Sequence, residues 1–205
     1  MSTQSQIPST LRSGLIVVAI VVGSVFTALV LRPSYAPTAK VALALPSTGE
    51  DSLSGKELRQ GARLAEERLR EAGQLPFGHR FELEIYDDKS TKDGARSVAL
   101  KIVADPRVVA VVGHFSSANT RAALPIYRTA GLPVIMPVAT QTSITRSGDF
   151  PNAFRMPPTN EEQAQTVVAF ADDYLSAEQI FLLRDETGYA QNLSASINSS
   201  LRSRR

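Results

Sequence analysis

Residues 108–120, VVAVVGHFSSANT, constrain this chain more than any other stretch. Val108, Val109, Val111 and Val112 form an apolar, β-branched run, the pattern of a strand buried on both faces. Gly113 breaks it, and a small, hydroxyl-rich turn follows, Ser116-Ser117-Ala118-Asn119-Thr120. Beyond it Ala122, Ala123, Ile126 and Tyr127 recur at helical spacing. A strand, a short loop and a helix in that order aim backbone N–H groups and a serine hydroxyl at one point. The amino end of the helix carries unpaired donors and partial positive charge, which suits a carboxylate or another anion. An ordinary βα turn with Ser117 as its N-cap satisfies the same pattern.

The rest of the chain repeats this unit. Lys40 to Leu45 (KVALAL) reads as a first buried strand, ended by Pro46-Ser47-Thr48-Gly49. Gly55 to Gly73 reads as a helix, with Leu58, Ala62, Ala65, Leu69 and Ala72 on its inward stripe and Gly73 closing it. Arg80 to Tyr86 (RFELEIY) alternates and predicts a half-exposed strand near a sheet edge. Asp87 and Asp88 follow. Adjacent carboxylates point apart and no nucleophile stands beside them, so they read as loop-end acids that solvate and cap rather than as an acid–base pair.

Lys92 to Ala104 predicts a helix with Ala95, Val98, Ala99, Ile102 and Val103 inward. Gly131-Leu132-Pro133 ends the helix after the glycine turn, and Val134 to Met136 predicts a fourth strand. Phe154 to Met156 reads as a short strand or linker. A helix is predicted over 160–174, with Ala164, Val167, Val168 and Phe170 for burial. A strand over 179–183 (QIFLL) and a last helix towards Leu201 complete the pattern. Alternation with short connections predicts an α/β fold, a doubly wound parallel sheet, in which ligands sit beyond the carboxyl ends of the strands.

Composition removes several functions. The formal net charge of +2 with scattered basic residues gives no nucleic-acid footprint. Cysteine is absent, and the only two histidines, His79 and His114, have no clustered partner, so neither a thiol nucleophile nor a zinc site is indicated. Neither G-x-x-x-x-G-K-[ST] nor G-x-G-x-x-G occurs at the strand ends, so no nucleotide and no cofactor is implied. The loops there, Pro46–Gly49, Tyr86–Asp88, Gly113–Ser117 and Pro137–Thr140, carry small and hydroxyl residues and predict a hydrogen-bonding pocket.

Ahead of all this lies a polar segment, residues 1–13, and an apolar run, residues 14–31 (GLIVVAIVVGSVFTALVL), that no charge interrupts. Such a run approaches the ~20 residues that span a bilayer and exceeds a typical signal-peptide core. It reads as an uncleaved N-terminal transmembrane helix in preference to a cleaved signal, with 32–39 as linker. In either case the remainder is exported, to the periplasm or the cell exterior.

In order, PSTG, the Gly61-Ala62 helix segment, YDD, GHFSSANT, PVAT, FRM and RDETGY resemble the type I periplasmic binding proteins. The nearest branch is the leucine/isoleucine/valine-binding proteins of amino-acid transporters. The resemblance runs from about Lys40 to about Leu201. It implies a first ligand-binding lobe over 40–150 and an incomplete second lobe over 151–205. It further implies a small zwitterion as ligand, an amino acid with the branched-chain ones among the candidates, an ABC permease as partner and no enzymatic activity. Ser117 matches the family serine on the ligand carboxylate. Val138 matches a position used through its backbone, Thr140 a threonine on the ligand's charged head, and Tyr189 an aromatic that packs on the ligand from the second lobe. His114 matches a histidine beside the site, read as structural and satisfied by backbone. Ser54 stands roughly where the family often has an aromatic, which implies a wider pocket. A tethered sensory ectodomain of the same fold is the alternative, and an inactive fragment a further one.

Overall fold

The structure, a computed structural model, describes residues 38–72 and 80–203. Five strands and the helices between them follow one another as the alternation predicts: β1 (Thr38–Ala44), α1 (Ser52–Ala72), β2 (Arg80–Tyr86), α2 (Lys92–Val103), β3 (Val108–Gly113), α3 (Ser117–Thr129), β4 (Val134–Met136), the short α4 (Ser143–Arg146), β5 (Ala153–Arg155), α5 (Asn160–Ala169) continued by a π-helical turn (Phe170–Tyr174), and α6 (Gly188–Ser203). All strand pairings are parallel, in the order β2-β1-β3-β4-β5. The order reverses between β1 and β3, which places the ligand crevice of such a sheet outside the carboxyl ends of those two strands. The short strand or linker expected at 154–156 is a strand one residue earlier, 153–155, hydrogen-bonded to β4 as the fifth strand of this sheet.

β1 is an unbroken apolar run with both faces covered, whereas β3, expected to be buried on both faces, leaves Val109 50 % exposed and β4 leaves Ile135 37 % exposed, because the described helices α2 and α3 cover one face of these strands. Ala42, Leu43, Ala44 and Leu45 point alternately to opposite sides, yet none exceeds 1 % exposure. One face packs Ala42, Ala44, Val108, Val111, Val134 and Met136 against Ala95, Val98, Ala99 and Ile102 of α2 and Ala123, Leu124 and Tyr127 of α3. β2 takes an edge, as its alternation predicts.

Two glycines permit close approaches that fix where the loops go. A Cβ at Gly55 would lie 1.8 Å from the Pro46 carbonyl oxygen, and one at Gly113 2.2 Å from the Ala44 carbonyl oxygen. The first glycine lets α1 start against the β1 loop. The second lets the end of β3 lie against β1.

Three further expectations need correction. Of the stripe predicted for α1, Leu58 and Ala62 are half-buried, whereas Ala65, Leu69 and Ala72 are exposed. A helix of 21 residues is about 31 Å long and β2, with 7 residues, about 23 Å, so the far end of α1 overruns the sheet. Second, 179–183 is not a strand, and Phe181 and Leu183 are about 90 % exposed. An apolar run becomes a strand only when a neighbour supplies its ladder, and the described residues supply none. Third, Ala164 and Val168 of α5 are buried with Ile197 of α6, but Val167 and Phe170 stand exposed, because α5 and α6 pack only on each other's narrow stripes. Among the described residues no helix is long and apolar enough to cross a membrane. The anchor expected over residues 14–31 and the helix stop at Gly73 lie outside the described residues.

At the amino ends of the strands Lys40, nearly buried, bonds Glu84 at 2.5 Å and Asp105 at 3.0 Å, and Arg107 reaches Asp105 at 2.9 Å. The hydrogen bond from Lys40 holds Glu84 below its ordinary value, and Arg107 holds Asp105 below its own. Glu84 and Asp105 in turn raise Lys40. The depressed carboxylates contribute stability that is complete above about pH 4–5 and lost as pH falls through their folded values. The raised lysine contributes below about pH 10 and is lost as pH climbs through its folded value. Lys40→Met is therefore expected to lower Tm at pH 7. It should also flatten the decline in stability between about pH 5 and 3, since Glu84 loses its partner while Asp105 keeps Arg107. Thermal melts across that range check it, and an unchanged acid limb would contradict it.

Candidate ligand-binding site

The glycine turn after β3 is built by its hydroxyls. Ser116, in extended conformation, is the N-cap of α3, its Oγ accepting from the Asn119 amide at 3.2 Å. Ser117, the cap in the ordinary βα-turn reading, lies one residue inside the helix, with its side chain released from capping. The Ser117 Oγ instead accepts from two amides of the β4 loop, Thr140 and Gln141, each at 3.2 Å. A serine hydroxyl has two acceptor positions and one donor. With both acceptor positions taken, its proton is left to give. Beside it are the amides of Ser117 and Ala118, first-turn donors with no intrahelical carbonyl to reach. Ser117 is half-buried and Ala118 exposed, so this donor group is open to an incoming molecule.

The β4 loop is held from behind. Arg155, half-buried at the end of β5, donates through Nη1 to the Ala139 carbonyl and through Nη2 to the Gln141 carbonyl at 2.8 Å and the Thr145 hydroxyl at 3.0 Å. Burial pulls its guanidinium below the usual arginine range, and the nearby Glu162 opposes that shift. The Thr140 carbonyl accepts from the amide of Asn160 at 2.9 Å, the first residue of α5. That helix is capped reciprocally by Thr159 and Glu162. Val138 is half-buried and Thr140 buried within this loop.

The aspartates after β2 divide their work. Burial alone would raise the Asp87 carboxyl, but the Thr48 hydroxyl and the amides of Ser47, Lys89 and Thr48 outweigh it, and Asp87 titrates below the ordinary range. It thereby pins the β1 loop, with the Ser47 amide at 2.7 Å and the Thr48 hydroxyl at 2.7 Å. Asp88 is not the solvating acid expected above. It is fully buried, 2.7 Å from His114 Nδ1, and His114 Nε2 lies 3.1 Å from the Tyr127 hydroxyl. Burial and then the charge of Asp88 push the Tyr127 phenol up, which keeps its proton available. The tautomer in which Nδ1–H donates to Asp88 and Nε2 accepts from Tyr127 satisfies all three groups. His114 is structural, as expected, but side chains satisfy its ring and not backbone. The chain of contacts ties the β2 loop to the turn that carries Ser117.

Ser117, Val138 and Thr140 thus sit on two loops that the Ser117 hydroxyl joins. Tyr189, at the start of α6, is half-exposed and donates to the Gln163 side chain at 3.1 Å, with no hydrogen bond to either loop among the described residues. An open hollow of about 330 Å³ is lined by Leu182, Arg184, Gln191, Ser194, Ala195 and Asn198 and includes none of these groups. Leu182 of the unpaired run, Arg184 beyond it and one face of α6 form its lining, so the convergent donors, not the hollow, mark the site. Among the described residues no group of side chains is arranged to hold a metal. Arg155 and the Asp88–His114–Tyr127 chain were missed in the sequence. An arginine at a strand end and an aspartate pair are visible there, but which loops they reach depends on strand order.

The sequence pattern of the periplasmic binding proteins matches residues 38–204. A leucine-, isoleucine-, valine-, threonine- and alanine-binding protein of Pseudomonas aeruginosa is 33 % identical over 166 residues, 81 % of this chain and 44 % of the relative. A Leu/Ile/Val-binding protein homolog of Brucella abortus is 31 % identical over 153 residues, 75 % of this chain and 40 % of the relative. Among solved structures, the branched-chain amino acid transporter substrate binding protein LivJ of Streptococcus pneumoniae, in complex with isoleucine, superimposes with a TM-score of 0.72 at 29 % identity. It covers 80 % of this chain and 46 % of that one. The sheet is thus the parallel α/β sheet of the type I periplasmic-binding-protein fold. The chain spans less than half the length of these curated relatives, 40–44 %.

Tyr127→Phe is expected to leave the fully buried His114 Nε2 without its donor at a cost of about 1–3 kcal/mol. Urea titration of both proteins measures it, and a difference below ~0.3 kcal/mol would contradict the assignment.

Proposed function

The chain belongs to the periplasmic binding protein family, and from that premise we propose that residues 40–205 bind the charged head of a free amino acid outside the cytoplasm and deliver it to an ABC permease. The observation that carries this reading is the Ser117 hydroxyl, its two acceptor positions filled by Thr140 and Gln141 and its proton unspent beside two helix-end amides. Such a cluster offers donors only. It favours a carboxylate and disfavours a cation, since all its unspent groups carry partial positive charge. Relatives and structural neighbours whose names specify leucine, isoleucine and valine make an aliphatic amino acid the first candidate.

Within this reading Ser117 holds the carboxylate, Val138 contributes its backbone, and Thr140 orients the head through its hydroxyl. Tyr189 belongs to the start of a second lobe, which closes on the ligand from the other side. The pairing of β5 with the first sheet supports a change of lobe after Arg155 in place of the boundary expected at 151. The apolar run over residues 14–31 tethers or exports the chain so that the binding lobe faces the periplasm or cell exterior. Binding without covalent chemistry is what a family of binding proteins does, and no enzymatic role is proposed.

Isothermal calorimetry of the full chain with leucine, isoleucine and valine tests it. Heat with one or more of them is expected, with Ser117→Ala weakening binding by about tenfold or more and Ser117→Asp abolishing it by charge repulsion. Affinity unchanged in Ser117→Asp would remove Ser117 from the site. Silence from a cooperatively folded wild-type chain across all three would remove the function.

A further inference from the structure

Each amide that reaches Ser117 belongs to a peptide group whose carbonyl is itself engaged. The Thr140 N–H shares a peptide with the Ala139 carbonyl, and that carbonyl accepts from Arg155. The Gln141 N–H shares a peptide with the Thr140 carbonyl, and that carbonyl accepts from the Asn160 amide, the first of α5. Two hydrogen-bond chains therefore converge on one oxygen. One begins at a guanidinium cation and the other at the positive end of a ten-residue helix. Chained hydrogen bonds polarise one another in the same direction, by roughly 10–30 % per bond. Both chains draw electron density away from Ser117 Oγ and make its proton a better donor.

We propose that Arg155 is a positioning residue that sets carboxylate affinity from behind the β4 loop, by polarising and fixing the 139–140 peptide that donates to Ser117. The proposal rests on the reading of Ser117 as the carboxylate seat. Arg155 lies on the far side of that loop from Ser117, with its three bonds directed to Ala139, Gln141 and Thr145, so its effect on a ligand is indirect. Its planar fork spans two carbonyls and a hydroxyl that are 2–6 residues apart in sequence, which a single ammonium cannot do at once. The geometry also makes the effect unequal. The Thr140 amide depends on Arg155 directly, whereas the Gln141 amide is fed from Asn160.

The test uses the full chain as wild type, Arg155→Met and Arg155→Lys, with amide proton shifts and hydrogen exchange read by NMR and leucine binding read by calorimetry. In Arg155→Met the Thr140 amide proton should move upfield and exchange at least about tenfold faster, with a smaller change at Gln141, and the Kd for leucine should rise about tenfold. Arg155→Lys, which keeps a cation for the Ala139 carbonyl, should recover most of the Thr140 shift and part of the affinity. If Arg155→Met does not fold, the Lys variant carries the test: a Thr140 amide displaced part of the way from wild type is expected, and one that neither shifts nor exchanges faster than wild type would overturn the proposal. An unchanged Thr140 amide in a folded Arg155→Met protein overturns it too, whatever leucine does. If the Thr140 amide responds as expected but the wild-type protein binds no leucine, the positioning of the peptide stands and the amino-acid reading fails.

Discussion

A single serine oxygen joins the two loops that carry the donor cluster. Ser117 Oγ takes the amides of Thr140 and Gln141, and so links the turn after β3 to the loop after β4 across the carboxyl edge of the sheet. The link depends on elements far from it in sequence. Ser116 must cap α3, or Ser117 would be spent on capping. Arg155 and the start of α5 must hold the β4 loop, or the two amides would turn elsewhere. The buried Asp88–His114–Tyr127 contacts must hold the β3 turn against α3 and the β2 loop. Each support satisfies polar groups that would otherwise be buried without partners, so the donor cluster is held by interactions the fold needs in any case.

The architecture was largely legible because its signals are local. The strands at 108–113 and 134–136 were read within a residue or two from β-branched runs and Gly-Pro punctuation. β2 was placed near an edge from alternation alone, and it is an edge. The errors fall where the outcome depends on what a segment meets. The stripe of α1 has helical period throughout, but the sheet is too short to cover its far end. The run 179–183 has strand composition, but a strand also needs a partner, and Phe181 and Leu183 remain exposed in its absence.

The site was legible in part. Clustered hydroxyls and a glycine break singled out Ser117, and the family resemblance singled out Thr140, but only the parallel sheet brings the two together. The aspartate pair was visible without its division of labour, because burial of Asp88 depends on His114 and Tyr127 arriving from β3 and α3. Arg155 gave no sequence signal of its role. Its reach across to positions 139, 141 and 145 follows from β5 pairing with β4, a contact that no periodicity encodes.

The central claim is that the unspent proton of Ser117 meets a ligand carboxylate. An experimental structure of the chain with leucine tests it most directly. A carboxylate oxygen within about 2.5–3.0 Å of Ser117 Oγ, and within reach of the Ser117 and Ala118 amides, is the predicted result. Leucine seated elsewhere, in the hollow beside α6 for instance, with the Ser117 hydroxyl untouched, would contradict it.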